Sequence, residues 1–132
     1  MNSIEKILQK YNNSKPEWPY PRLFAELKKI GVTFYETNVL ECSRVFRTAS
    51  SSWTEEKPGG SQNLVIDKVF SLEGLKEALK RRQNNEITYD EFLVEASKCG
   101  VANFLADMKE QTVTYFNAAK SEFHIQQVPE WA

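Results

Sequence analysis

Histidine occurs once, at His124, and cysteine twice, at Cys42 and Cys99, in a chain of 132 residues. A single imidazole excludes metal centres built on two or three histidines, and two distant thiols without a C-x-x-C spacing do not supply a structural zinc site. The same scarcity argues against a disulfide framework: a chain of this length folds without staples, so both thiols are read as reduced, in a cytoplasmic protein. Net charge is equally scant. Seventeen Lys and Arg offset eighteen Asp and Glu to a formal charge of -1, which offers nucleic acid no basic field and leaves no acidic tail. No apolar run approaches the roughly 20 residues needed to span a bilayer. The opening Met1-Asn2-Ser3-Ile4-Glu5-Lys6 has none of the regions of a signal peptide.

What is present suits a soluble globular domain. Apolar residues make up 41% and aromatics 12%, against 27% charged, enough to bury one core over residues 1–132. Asn2 followed by Glu5 predicts a capping box, with Ile4, Ile7, Leu8 and Tyr11 recurring on one helical face. Pro16, Pro19 and Pro21 mark a connector. A second helix follows, with Leu23, Phe24, Leu27 and Ile30 on one side and Gly31 as its C-terminal cap.

Residues 32–39 and 42–49 read as strands, and 50–63 as a polar loop with a turn at Pro58-Gly59-Gly60-Ser61. Ser71 caps a third helix that turns Leu72, Leu75, Ala78 and Leu79 inward. Thr88-Tyr89-Asp90-Glu91 fits a second capping box, opening a fourth helix with Phe92, Leu93, Ala96 and Cys99 inward and Gly100 at its end. Beyond Gly100 the apolar period becomes two, and 101–108, 112–116 and 122–128 read as a β-meander.

Sliding the chain against itself by 69 positions pairs Tyr20 with Tyr89, Gly31 with Gly100 and Val32 with Val101, and superposes the inward faces of the second and fourth helices. The predicted fold is therefore α+β: an N-terminal helix, then two pseudo-repeated helix and β-hairpin units, about 20–52 and 89–121, sharing one antiparallel sheet that ends in a C-terminal meander.

The run Phe24-Ala25-Glu26-Leu27-Lys28-Lys29-Ile30-Gly31-Val32, the segment from Leu75 to Phe92, and Gly100-Val101 with Val113-Thr114-Tyr115 resemble the YdfO-like family. These are small bacterial proteins, often prophage-encoded and sometimes labelled phage envelope protein. The resemblance spans the chain from about Tyr20 onward and implies a compact α+β domain in a prophage-related setting. It implies no catalytic residue, and no glycine stands near Asn84-Asn85 where the family pattern leads one to expect it.

Individual chemistries are weak. Ile87 and Glu91 echo the end of a calcium loop, but Lys80 and Arg82 would then stand where acidic ligands belong. Gly59-Gly60 lacks the following Lys and Ser or Thr of a phosphate loop. The candidate binding surface consists of Trp53, a large aromatic in a polar loop, with the basic residues Arg44, Arg47, Lys80, Arg81 and Arg82. These favour a non-enzymatic protein, monomer or homodimer, that binds another protein and needs neither cofactor nor metal. The rival reading is a small ligand-binding protein or enzyme with a pocket between helices and sheet, using Cys42, His124 or Tyr115. A deep pocket at one of those residues would favour the second, and an exposed Trp53 the first.

Overall fold

Three helices begin where a side chain satisfies a free amide, and one begins on proline. Asn2 accepts from the Glu5 amide at 2.8 Å to start α1 (Ser3–Asn12), which buries Ile4, Ile7, Leu8 and Tyr11. Pro19 precedes α2 (Tyr20–Lys29), where Pro21 costs nothing in the first turn and Leu23, Phe24 and Leu27 are buried. Ser71 accepts from Gly74 at 3.2 Å to open α3 (Leu72–Gln83). Thr88 and Glu91 form the expected reciprocal box, at 3.2 and 2.8 Å, ahead of α4 (Tyr89–Lys98). The computed structural model describes residues 2–55 and 64–131.

Six strands form one antiparallel sheet: β1 (Val32–Asn38), β2 (Ser43–Thr48), β3 (Ser52–Glu55), β4 (Asn103–Asp107), β5 (Thr112–Phe116) and β6 (Phe123–Gln127). Their order is β3-β2-β1-β4-β5-β6. Alternate residues, among them Tyr35, Phe46, Phe104, Ala106, Val113 and Tyr115, join the helix faces in the core. The opposite sheet face carries Phe34, Phe123 and Ile125 exposed. The α+β class, the shared sheet and the C-terminal meander are those expected.

The N-terminal helix is not a preface to the repeated part. The element order is ααβββ twice, with α2 and α4 starting at Tyr20 and Tyr89. Where β1 meets β4, Glu36 faces Leu105, and the flanking pairs Phe34 with Asp107 and Asn38 with Asn103 mirror one another. The seam therefore has two-fold register about the Glu36–Leu105 pair.

The expectation of a polar loop from residue 50 is corrected at Ser52. Arg44 to Arg47 pair with β3 residues, and Trp53 lies opposite Phe46. An edge strand of four residues with Ser52 and Thr54 exposed reads as a loop because only Trp53 and Glu55 face inward. The predicted turn at Pro58-Gly59-Gly60-Ser61 lies outside the described residues.

Both helix-to-strand corners turn on glycine, with φ of +99° at Gly31 and +81° at Gly100. At Gly100 the chain before α3 also packs close, and a Cβ there would meet the Val69 carbonyl oxygen at 2.5 Å. Asp67 and Ser71 amides bond the Ser97 and Cys99 carbonyls at 2.9 and 2.8 Å, pinning that segment to the end of α4.

Candidate functional site

Aromatic residues at matching strand positions produce two ring ladders on the helix-facing side of the sheet. Tyr35, Phe46 and Trp53 are spaced 5.0 and 5.9 Å between centroids; Phe104, Tyr115 and His124 are spaced 5.3 and 6.5 Å. Tyr20 and Tyr89, the first residues of α2 and α4, stand over this surface. The Tyr20 and Tyr35 hydroxyls bond one another.

What lies between ladder and helix differs in the two halves. In the first, Arg44 is 3% exposed, and its guanidinium lies 5.7 Å from the Phe46 ring and 4.9 Å from that of Tyr89. Its Nε donates to Glu55 at 2.6 Å from the facing position on β3. Burial opposes the Arg44 charge, yet Tyr89, Glu55 and Tyr35 together hold its pKa above the ordinary value. In the second half, Val113 faces Gln126, and a cavity of about 500 Å³ opens beside Tyr115. Phe92, Phe104 and Tyr115 are its buried floor, Tyr20 and Tyr89 are half-buried at its sides, and Pro19, Gln83 and Pro129 are exposed at the rim. The chain reaches that rim because the Val128 amide bonds the Gln111 carbonyl at 2.8 Å.

Polar groups in the wall are few and placed. The Tyr115 hydroxyl donates to Gln126 Oε1 at 3.0 Å. Arg82 donates to the Tyr11 hydroxyl and to the Ile87 carbonyl, and pairs with Glu17. Burial, then the proximity of other phenols, pushes Tyr20 and Tyr115 well above the usual phenol range. Tyr89 is raised by burial against the lowering effect of Arg44. These phenols are neutral hydrogen-bonding groups at physiological pH.

The six candidate residues are not one surface. Arg44 is an internal ion-pair partner, and Arg47 lies exposed on the other sheet face, 5.8 Å over Phe34. Lys80 is exposed and Arg81 half-buried on α3, while Arg82 is held at the cavity. Trp53 is half-buried on Phe46. Of the rival trio, only Tyr115 lines the cavity. Cys42 is buried, with its Sγ 3.5 Å from the Val39 carbonyl, and so is not an accessible thiol. His124 is half-buried over Tyr115 outside the cavity lining, and burial with the Lys76 charge lowers its pKa. Cys99 is core as predicted, its pKa raised by burial, Glu95 and Asp67.

Tyr20, Tyr89 and Gln126 carry the site and were not singled out by residue chemistry. Their one trace in the sequence is the 69-residue coincidence of Tyr20 with Tyr89. Among the described residues no group of three or more His, Cys, Asp or Glu side chains is placed to hold a metal ion, and no helix is long and apolar enough to cross a membrane. Among curated proteins, none matches this sequence. The profile of a family described only as a protein of unknown function, DUF1398, matches residues 8–127, and the chain belongs to that family.

Proposed function

We propose that this is a non-enzymatic binding protein whose ligand is a small molecule held between the helices and the second half of the sheet. The cytoplasmic, prophage-related setting is the one implied by its cysteine usage and its YdfO-like resemblance. The observation that carries the reading is the cavity of about 500 Å³ with an aromatic floor. That volume falls in the range of about 300 to 1,000 Å³ typical of small-molecule sites. Phenols whose pKa values burial raises are poor bases at neutral pH, so the wall suits recognition better than proton transfer. Trp53, half-buried on Phe46, is no longer the exposed anchor a protein-binding surface would use.

A fragment screen by NMR on the isotopically labelled chain tests this reading. Bound fragments should shift resonances of Tyr20, Tyr115 and Gln126. Hits confined to the outer sheet face, or none, would overturn it. A second reading, protein binding or self-association through that outer face, is favoured by exposed Phe34, Phe123 and Ile125. Sedimentation of wild type and Ile125→Glu tests it: a dimer dispersed by the substitution supports self-association, and a wild-type monomer removes it.

A further inference from the structure

The first half shows what its own version of the site accepts. There the space between ladder and helix is filled by a planar, delocalised group, the Arg44 guanidinium, set between the Phe46 and Tyr89 rings and anchored at its edge by Glu55. The two-fold register of the β1–β4 seam carries each of these residues to a counterpart. Phe46 corresponds to Tyr115, Tyr89 to Tyr20, and Glu55, facing Arg44 across β2 and β3, to Gln126, facing Val113 across β5 and β6. Tyr115, Tyr20 and Gln126 all line the cavity. The second half thus keeps the walls and replaces the built-in occupant by Val113.

We infer that the cavity binds a flat, uncharged head group with an amide-like edge, in the place where Arg44 lies in the other half. This rests on the reading of the cavity as a ligand site and names its ligand class. Flatness follows from the correspondence: the planar guanidinium lies over Phe46 and Tyr89, and their counterparts Tyr115 and Tyr20 both line the cavity. Neutrality follows from the anchor. Glu55 selects a cation, whereas an amide side chain carries no charge to balance one. Arg82 at the wall further opposes a cation, and its own charge is already met by Glu17. An anion would therefore enter an apolar, phenol-lined cavity without an unshared counterion, at a desolvation cost. Since Gln126 Oε1 accepts from Tyr115, its amide nitrogen is the half left to donate, which calls for a carbonyl on the ligand edge.

Benzamide, benzamidine and benzoate share one shape and differ in charge, so titrating each into the full labelled chain separates the two levels of inference. Benzamide should bind about tenfold more tightly than either charged analogue, a difference of about 1.4 kcal/mol, with shifts at Tyr20, Tyr115 and Gln126. Equal or tighter binding of benzamidine or benzoate would overturn the ligand class while leaving the cavity a binding site. Failure of all three would overturn both. A second arm builds the plug: Val113→Arg with Gln126→Glu recreates the Arg44–Glu55 arrangement and should abolish benzamide binding in a protein that still melts cooperatively. A folded plugged variant that binds benzamide as well as wild type would sink the inference. If that variant does not fold, the charge series alone decides.

Discussion

The Arg82 guanidinium of α3 donates to the Tyr11 hydroxyl of α1, and the two residues are counterparts. Ile4, Ile7, Leu8 and Tyr11 are the buried face of α1, and Leu75, Ala78 and Leu79, with Arg82 one turn further on, occupy the same spacing on α3. The first pair of helices is thus tied to the second where their corresponding ends approach. Tyr11→Phe removes the acceptor but leaves Arg82 its Glu17 partner. A loss of about 1.5 to 3 kcal/mol, as for a hydrogen bond to a charged group, is expected in denaturant unfolding. No change in midpoint would show that the contact is not formed in solution.

Arg44 and Glu55 set a larger stake. Their side chains are 4% and 15% exposed, so Glu55→Gln leaves a buried cation without its counter-charge. About 3 to 5 kcal/mol should be lost, far more than an exposed pair contributes. Because the pair is shielded, raising the salt concentration should hardly alter the difference between variant and wild type. A loss below about 1 kcal/mol, typical of surface pairs, would contradict the buried geometry.

All five tyrosines, Tyr11, Tyr20, Tyr35, Tyr89 and Tyr115, have pKa values raised in the folded chain, with burial the largest cause in each. In the unfolded chain they ionise near about pH 10. The folded state resists that ionisation, so its full stability is present below this pH and drains away as pH rises through and beyond it. Absorbance titration should show much less phenolate in the native protein around pH 10 than in the unfolded chain, followed by a cooperative rise coincident with loss of circular dichroism. Gradual, independent ionisation of one or more tyrosines before unfolding would show an open phenol.

Gly31 and Gly100 share a positive φ but not their surroundings. No heavy atom lies within 4 Å of a Cβ at Gly31, so Gly31→Ala should cost only the left-handed backbone, about 1 to 2 kcal/mol. Gly100→Ala adds a collision with the Val69 carbonyl and Phe70 backbone, and overpacking of that kind adds about 1 to 3 kcal/mol. Equal melting temperatures for the two variants would count against the packing of the segment before α3.

The helices were legible because their signals are local: two capping boxes, a serine cap and apolar residues at helical spacing each act within a turn or two. The 69-residue offset also reached β1, β2, β4 and β5, whose inward residues alternate clearly. It missed α1 as the counterpart of α3 because the connector before α2, residues 13–19, is two residues longer than that before α4, residues 84–88. It missed β3 because polar outward residues hide a short edge strand. The cavity was legible only as the rival pocket between helices and sheet with Tyr115, and not in its other walls. Its walls depend on α2, α3, α4 and the strands β4 to β6 meeting around Tyr115, and that convergence of segments far apart in sequence requires the three-dimensional fold. Arg44 misled for the same reason: as a cation in a strand it reads as surface, until Glu55 is found opposite.

The order β3-β2-β1-β4-β5-β6 also bears on how the chain reaches this structure. Four of the five strand pairings join consecutive strands across short turns, and only β1 with β4 joins distant ones. Closing that seam means ordering a loop of roughly 70 residues, against a few for each hairpin, so its entropy cost falls after the two meanders have formed. The β1–β4 ladder is then the last part of the sheet to assemble and the first whose loss would part the molecule into two three-stranded sheets, with Tyr20 drawn away from Tyr115 and the cavity lost.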